Sequence, residues 1–245
     1  MLFMEYLTTS LPQWNSLMFL IAIPIPYYLV EHLAKKGLLK ITASSKATLY
    51  FYGIIGFYFL YFLYVTLACF KGLFVQNSLP PRIMVLTALP LLALYVLVVL
   101  NLPIAKKILR NIALSDLVRI HLFRLIGSFF VIMGMYHVVP KTFALGAGLG
   151  DIFIALSSLV VGKALIKNKS YAIKMAWIWN TLGLIDILMT SFMAFWYTKQ
   201  SIVLGTLGVN ILTEFPFCFI PAFAPATIIF LHISIYKKLM AKTVA

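Results

Sequence analysis

Three ionisable residues, Arg124, Asp151 and Asp186, fall in the middle of apolar runs. A charged side chain at the centre of a bilayer costs roughly 2.5–3.5 kcal/mol on insertion scales, and such residues usually face a bundle interior or a water-filled cavity. An arginine with two carboxylates can form ion pairs, hold an anion or relay a proton. The chain has only six acidic residues, so placing two of them at this depth calls for a reason. The long arginine stem has one other course open to it, which is to reach back to the membrane surface.

Helical spacing groups further polar residues with these three. His121 and Arg124 lie about 60° apart on one helix face, with Ser128 close to the same stripe. Gly148, Asp151, Ala155, Ser158 and Gly162 form a small-residue face that suits close helix packing. Trp179, Gly183, Asp186 and Thr190 align on the next helix, with Asn180 about 120° from Asp186. Counting depth along each run puts His121, Arg124, Asn180 and His232 in one layer, expected to open toward the cytoplasm. Asp151 and Asp186 form a second layer nearer mid-membrane. Arg124 is the cation available to either acid, and the sequence leaves open which one it pairs. At the opposite end, His137 and Glu214 are a candidate polar pair.

Several chemistries can be weighed against this set. His121 and His232 with Asp151 or Asp186 could hold a metal that activates water against a lipid substrate, as membrane hydrolases of the adiponectin-receptor type do with three histidines. No HxxxH or HExxH spacing supports it. Bis-histidine haem through His121 and His232, or His32, is weakly indicated by depth alone. A retinal protein needs a lysine inside the seventh span, and Lys237 comes only at its end. Motifs of G-protein-coupled receptors, P-loops, nucleophile elbows and dinucleotide folds are absent. Cys69 and Cys218 have neither pairing nor metal spacing and read as small buried hydrophobes. No cofactor is identified.

The elements that must position these residues are membrane-spanning helices. The chain is 63% hydrophobic and 11% charged over 245 residues, with mean hydropathy +1.02, whereas soluble domains are about 45–50% apolar and about 25% charged. Seven runs of bilayer-spanning length occur near 15–34, 47–70, 83–102, 118–139, 142–164, 173–198 and 210–236. The expected fold is all-α, a seven-helix bundle forming a single transmembrane domain over 1–245. Segment 103–117 is amphipathic and basic, as an interfacial helix is. Pro24 and Pro26 predict a kink in the first span, and Pro216, Pro221 and Pro225 a break or bend in the seventh. The aromatic second span and the apolar third read as scaffold.

Charge gives the orientation. Of the twenty Lys and Arg residues, fifteen lie in the loops around 35–46, 106–119, 163–174 and 237–242, four (Lys71, Arg82, Lys141 and Lys199) lie on the other side, and Arg124 is the last. That asymmetry puts the N-terminus outside and the C-terminus in the cytoplasm. Residues 1–13 carry Glu5 and no basic n-region, so the first span is expected to be retained. The net charge of +14 is explained by loops beside anionic lipid, without nucleic acid.

The function expected is binding or transport of a small polar or anionic solute, or of protons, in a plasma or inner membrane. The alternatives are a metal-dependent enzyme acting on a lipid and a structural or partner-binding subunit. The partners expected are the bilayer itself and a small-molecule or lipid ligand.

Overall fold

A computed structural model describes residues 11–75 and 78–243; Glu5 lies outside the described residues. Among those described there is no strand. Seven helices are long and apolar enough to span a membrane. They are α1 (Gln13–Leu38), α2 (Ser44–Phe70), α3 (Met84–Asn101), α5 (Leu114–Met135), α6 (Lys141–Ile166), α7 (Ala172–Leu204) and α8 (Phe219–Thr243), with the short α4 (Pro103–Asn111) between α3 and α5.

α5 and α8 are the most buried spans and α2 the least. α8 packs against α2, α3, α5 and α7, while α6 packs along α5 and α7. The exterior is studded with large apolar side chains such as Ile21, Phe59, Leu97 and Phe153, as expected where the surrounding solvent is hydrocarbon. α2 is divided lengthwise: Tyr58 and Val65 are buried while Tyr52, Phe59 and Leu60 are exposed. Its inward rings pack on α1 and α8, with Phe62 stacked on Phe219 at 4.1 Å and Tyr58 edge-on to Tyr27 at 5.6 Å, while Tyr27 itself stacks on Phe223 at 4.0 Å. A hydroxyl chain crosses this aromatic half, from Tyr58 to Tyr95 at 2.8 Å and on toward Thr227 at 3.5 Å. The scaffold spans therefore carry a buried polar thread of their own.

Prolines and local winding shape the spans. α1 turns at Ile23, just before Pro24. α3 winds into π-helical turns at Met84–Ala88 and Leu94–Val98 on either side of Pro90. At its end the Asn101 amide donates to the carbonyls of Val96 and Leu97, satisfying acceptors that the helix leaves open. The seventh span does not begin at 210, as its hydropathy suggested. A 3₁₀ turn covers Asn210–Thr213, Pro216 precedes the helix, and α8 starts at Phe219. Proline is tolerated at a helix start, where no backbone partner is lost, so Pro221 sits in the first turn and Pro225 alone is interior. Glu214 consequently falls outside the helix.

α4 is strapped to the bundle at its C-terminal end. Lys238 of α8 donates to the carbonyls of Leu109 and Arg110 at 2.8 and 3.0 Å, and Lys40 to that of Asn111 at 3.0 Å. Lysines commonly complete helix C-termini in this way. Lys36 pairs with Asp116 at 2.5 Å just beyond.

Candidate functional site

Local winding of α5 sets the site. Ile120–Gly127 is 3₁₀ helix, in which residues three apart eclipse one another. His121, Arg124 and Gly127 therefore stand in one column, more closely aligned than α-helical spacing implies, and Ser128 falls off it. Gly127 supplies the gap: a β-carbon there would collide with the Asp151 carboxylate from α6. The small-residue face of α6 packs on α5 in the same manner, with Gly148 against Val131 and Gly162 against the stem of Arg119.

Arg124 is 1% exposed and does not reach back to the surface. Its Nε donates to Asp151 Oδ1 at 2.6 Å, and its Nη2 donates to Asp186 Oδ2. Nη1 donates to the Gly183 carbonyl at 3.2 Å and faces His232 Nε2 at 3.5 Å. The guanidinium thus joins α5 to α6 and α7 and pairs with both acids rather than one. Asp151 is nearly as buried as the arginine, whereas the Asp186 side chain keeps 18% of its surface. One cation between two carboxylates leaves a formal charge of −1.

On the side of Arg124 toward the lysine-rich loops, His232 and Asn180 clasp each other. His232 Nδ1 lies 2.8 Å from Asn180 Oδ1, and the Asn180 amide donates to the His232 carbonyl at 3.1 Å. This arrangement assigns the proton to Nδ1 and turns the Nε2 lone pair to the arginine. His121 lies against both His232 and Trp179, with ring centroids 4.3 and 5.2 Å away, and neither of its nitrogens has a hydrogen-bonding partner. Trp179 in turn donates to Ser157 at 3.0 Å. His121, Arg124, Asn180 and His232 therefore form one layer, with Asp151 and Asp186 on it.

That layer does not open toward the lysine-rich end. His121, Asn180 and His232 are wholly buried. The open space lies on the other side of Arg124, a cavity of about 50 Å³ walled mostly by apolar side chains, with Arg124, Asp151, Thr190 and Ser191 as its polar members and Pro221 and Pro225 of α8 along one wall. Pro225, interior to α8, has no N–H to donate, so the helix lacks one internal hydrogen bond where it forms the cavity wall.

The metal and haem expectations lose their geometry. No group of three His, Cys, Asp or Glu residues among those described could hold a metal ion, because both aspartates turn to the guanidinium. The rings of His121 and His232 are in contact, leaving no gap for a macrocycle, and His32 stacks on Tyr28 instead. His137 is exposed at the turn after α5, and Glu214 lies between the 3₁₀ turn and α8.

Contacts that residue spacing does not reveal are the Gly183 carbonyl and the close approaches of Gly127 and Gly150. A β-carbon on Gly150 would strike the Asp186 carboxylate.

A family model matches residues 80–240 of the 245. The chain belongs to that family, described as Domain of unknown function (DUF8737). The matched segment takes in α3 through most of α8 and every member of the arginine cluster, while α1 and α2 lie outside it. No curated protein and no solved structure matches the chain.

Proposed function

We propose that this chain is a multi-pass membrane protein whose Arg124–Asp151–Asp186 cluster binds a small anion together with a proton and carries them through the bundle. One buried guanidinium shared by two carboxylates, with an uncompensated negative charge, is the observation that carries the reading. Protonation of Asp186, the more exposed acid, would cancel that charge and release Nη2 as a donor. An anion then binding there returns the cluster to −1, so the proton compensates the anion. The adjoining cavity of about 50 Å³, against roughly 10–15 Å³ for one water, has room for a small inorganic anion or formate beside Arg124. Pro225 within α8 supplies the hinge that passage requires.

In this reading residues 1–245 form a single transmembrane domain in a plasma or inner membrane. The lysine-rich loops and C-terminus face the cytoplasm and the N-terminus faces outside. The test is flux into proteoliposomes loaded with a pH-sensitive dye, offered chloride, nitrate or formate in turn. One of these anions should enter with acidification of the lumen. Arg124→Leu should abolish entry, and Asp186→Asn should permit binding without proton movement. Full flux through Arg124→Leu, or no proton-linked anion in the wild type, would overturn it.

A second reading rests on the saturation of the guanidinium, whose three nitrogens all have partners. The cluster would then fix the register of α5, α6 and α7 and carry nothing, as buried polar groups do in some proteins. Exchanging Arg124 and Asp151 would be tolerated in that case.

A further inference from the structure

A second hollow, of about 620 Å³, lies apart from the arginine cluster among α1, α2, α3, α4, α5 and α8. Its size falls in the roughly 300–1,000 Å³ range of ligand sites. The walls are hydrocarbon and aromatic rings, including Leu33 and Leu38 of α1, Ile54 of α2, Leu94 of α3, Ile108 of α4 and Phe230 of α8. Tyr58 and Tyr95, whose hydroxyls bond to each other, are the polar residues at its inner wall. The opening runs along α2, where Leu49, Tyr50 and Phe57 are exposed and Gly53 has open space in place of a side chain.

The rim has the opposite character. α4 turns Ile104, Ala105, Ile108 and Leu109 into the hollow and leaves Lys106, Lys107 and Arg110 exposed. Lys35 and Lys46 lie on the same stretches of α1 and α2 as lining residues. None of these five cations is in an ion pair among the described residues, and Asp116 nearby is taken by Lys36. Glu31 is the remaining acid on this part of α1.

We infer that this hollow is a binding site for one anionic phospholipid, its acyl chain among α1, α2, α3 and α8 and its phosphate on the basic face of α4. The inference rests on the fit of an apolar interior beneath an unneutralised basic rim, which matches a lipid in charge as well as in polarity. An uncharged amphiphile leaves the rim unanswered, and a soluble anion leaves the hollow unfilled.

The experiment is native mass spectrometry of the full chain, delipidated in mild detergent and titrated with phosphatidylglycerol or phosphatidylcholine of identical chains. One phosphatidylglycerol should be retained at tenfold or more lower concentration than phosphatidylcholine. Gly53→Phe, which fills the hollow, should remove the stoichiometric adduct, while Gly56→Phe, also into open space but away from the lining, should not. Lys106→Glu with Lys107→Glu and Arg110→Glu should bring the two lipids to equal retention. Equal retention by the wild type, an adduct that survives Gly53→Phe, or equal losses in Gly53→Phe and Gly56→Phe would overturn the inference. So would a Gly53-dependent uncharged molecule that the charge reversals leave bound.

Discussion

Gly150 of α6 and Asp186 of α7 approach so closely that a single added carbon on the glycine would occupy the place of the carboxylate oxygen. The ion pair between Arg124 and Asp186 therefore depends on a residue that takes no part in it. Gly150→Ala should push Asp186 off the guanidinium and leave Asp151 in place. Overpacking of this kind costs about 1–3 kcal/mol. Unfolding in mixed micelles should register that loss, and it should shrink when Asp186→Ala is added.

Removing the arginine should do more harm than removing the whole cluster. Arg124→Leu strands two carboxylates that are buried or half-buried, and breaking such a pair costs about 3–5 kcal/mol. Replacing Arg124, Asp151 and Asp186 together by leucine should recover most of that stability, since apolar substitutes for buried ion pairs are often neutral or better. Denaturant unfolding of the single and triple variants compares the two. A triple variant less stable than Arg124→Leu would mean that the charges stabilise the bundle in their own right.

How much of this was legible beforehand depended on the kind of contact. Seven apolar helices could be counted because bilayer thickness sets their length, and the depth of Arg124, Asp151 and Asp186 singled them out because burying charge is costly. Helix neighbours were another matter. That both acids share one guanidinium follows from α5, α6 and α7 meeting at Gly127 and Gly150, and a glycine in an apolar run looks the same whether it faces lipid or a carboxylate. The 3₁₀ winding at Ile120–Gly127 likewise has no proline to announce it. The hollow beside α4 has no signature in the sequence because its wall residues come from six separate helices. The expected opening toward the cytoplasm is not seen for a related reason: depth counting says nothing of side-chain packing, and Trp179 and the two histidine rings close that side by packing on each other.

His121 should be a liability to stability. Both of its ring nitrogens are buried without partners, and an unsatisfied buried polar group costs about 1–3 kcal/mol. His121→Phe should raise stability by about 1 kcal/mol or more, measured by the same unfolding assay. A loss of anion flux in that more stable protein would assign the histidine to function.

The Tyr58–Tyr95 pair should show the signature of a coupled hydrogen bond. Either Tyr58→Phe or Tyr95→Phe leaves the other hydroxyl short of its 2.8 Å partner and should cost about 1–2 kcal/mol, whereas the double substitution should cost little more than either alone. Additive losses would show that the two hydroxyls act independently.

The lysine straps on α4 have one more consequence. An amphipathic helix held only by its apolar face floats with the lipid headgroups, rising and sinking as the bilayer thins or swells. Tied through Lys238 and Lys40, with the Lys36–Asp116 pair joining α1 to α5 just beyond it, α4 on the proposed membrane placement instead acts as a fixed waterline for the molecule. Eight residues separate Asp116 from Arg124, about 12–16 Å at the rise of α- and 3₁₀-helix. On that placement the guanidinium keeps a set draught below the surface, and a bilayer of different thickness would deform around the protein because the charge cannot change its depth.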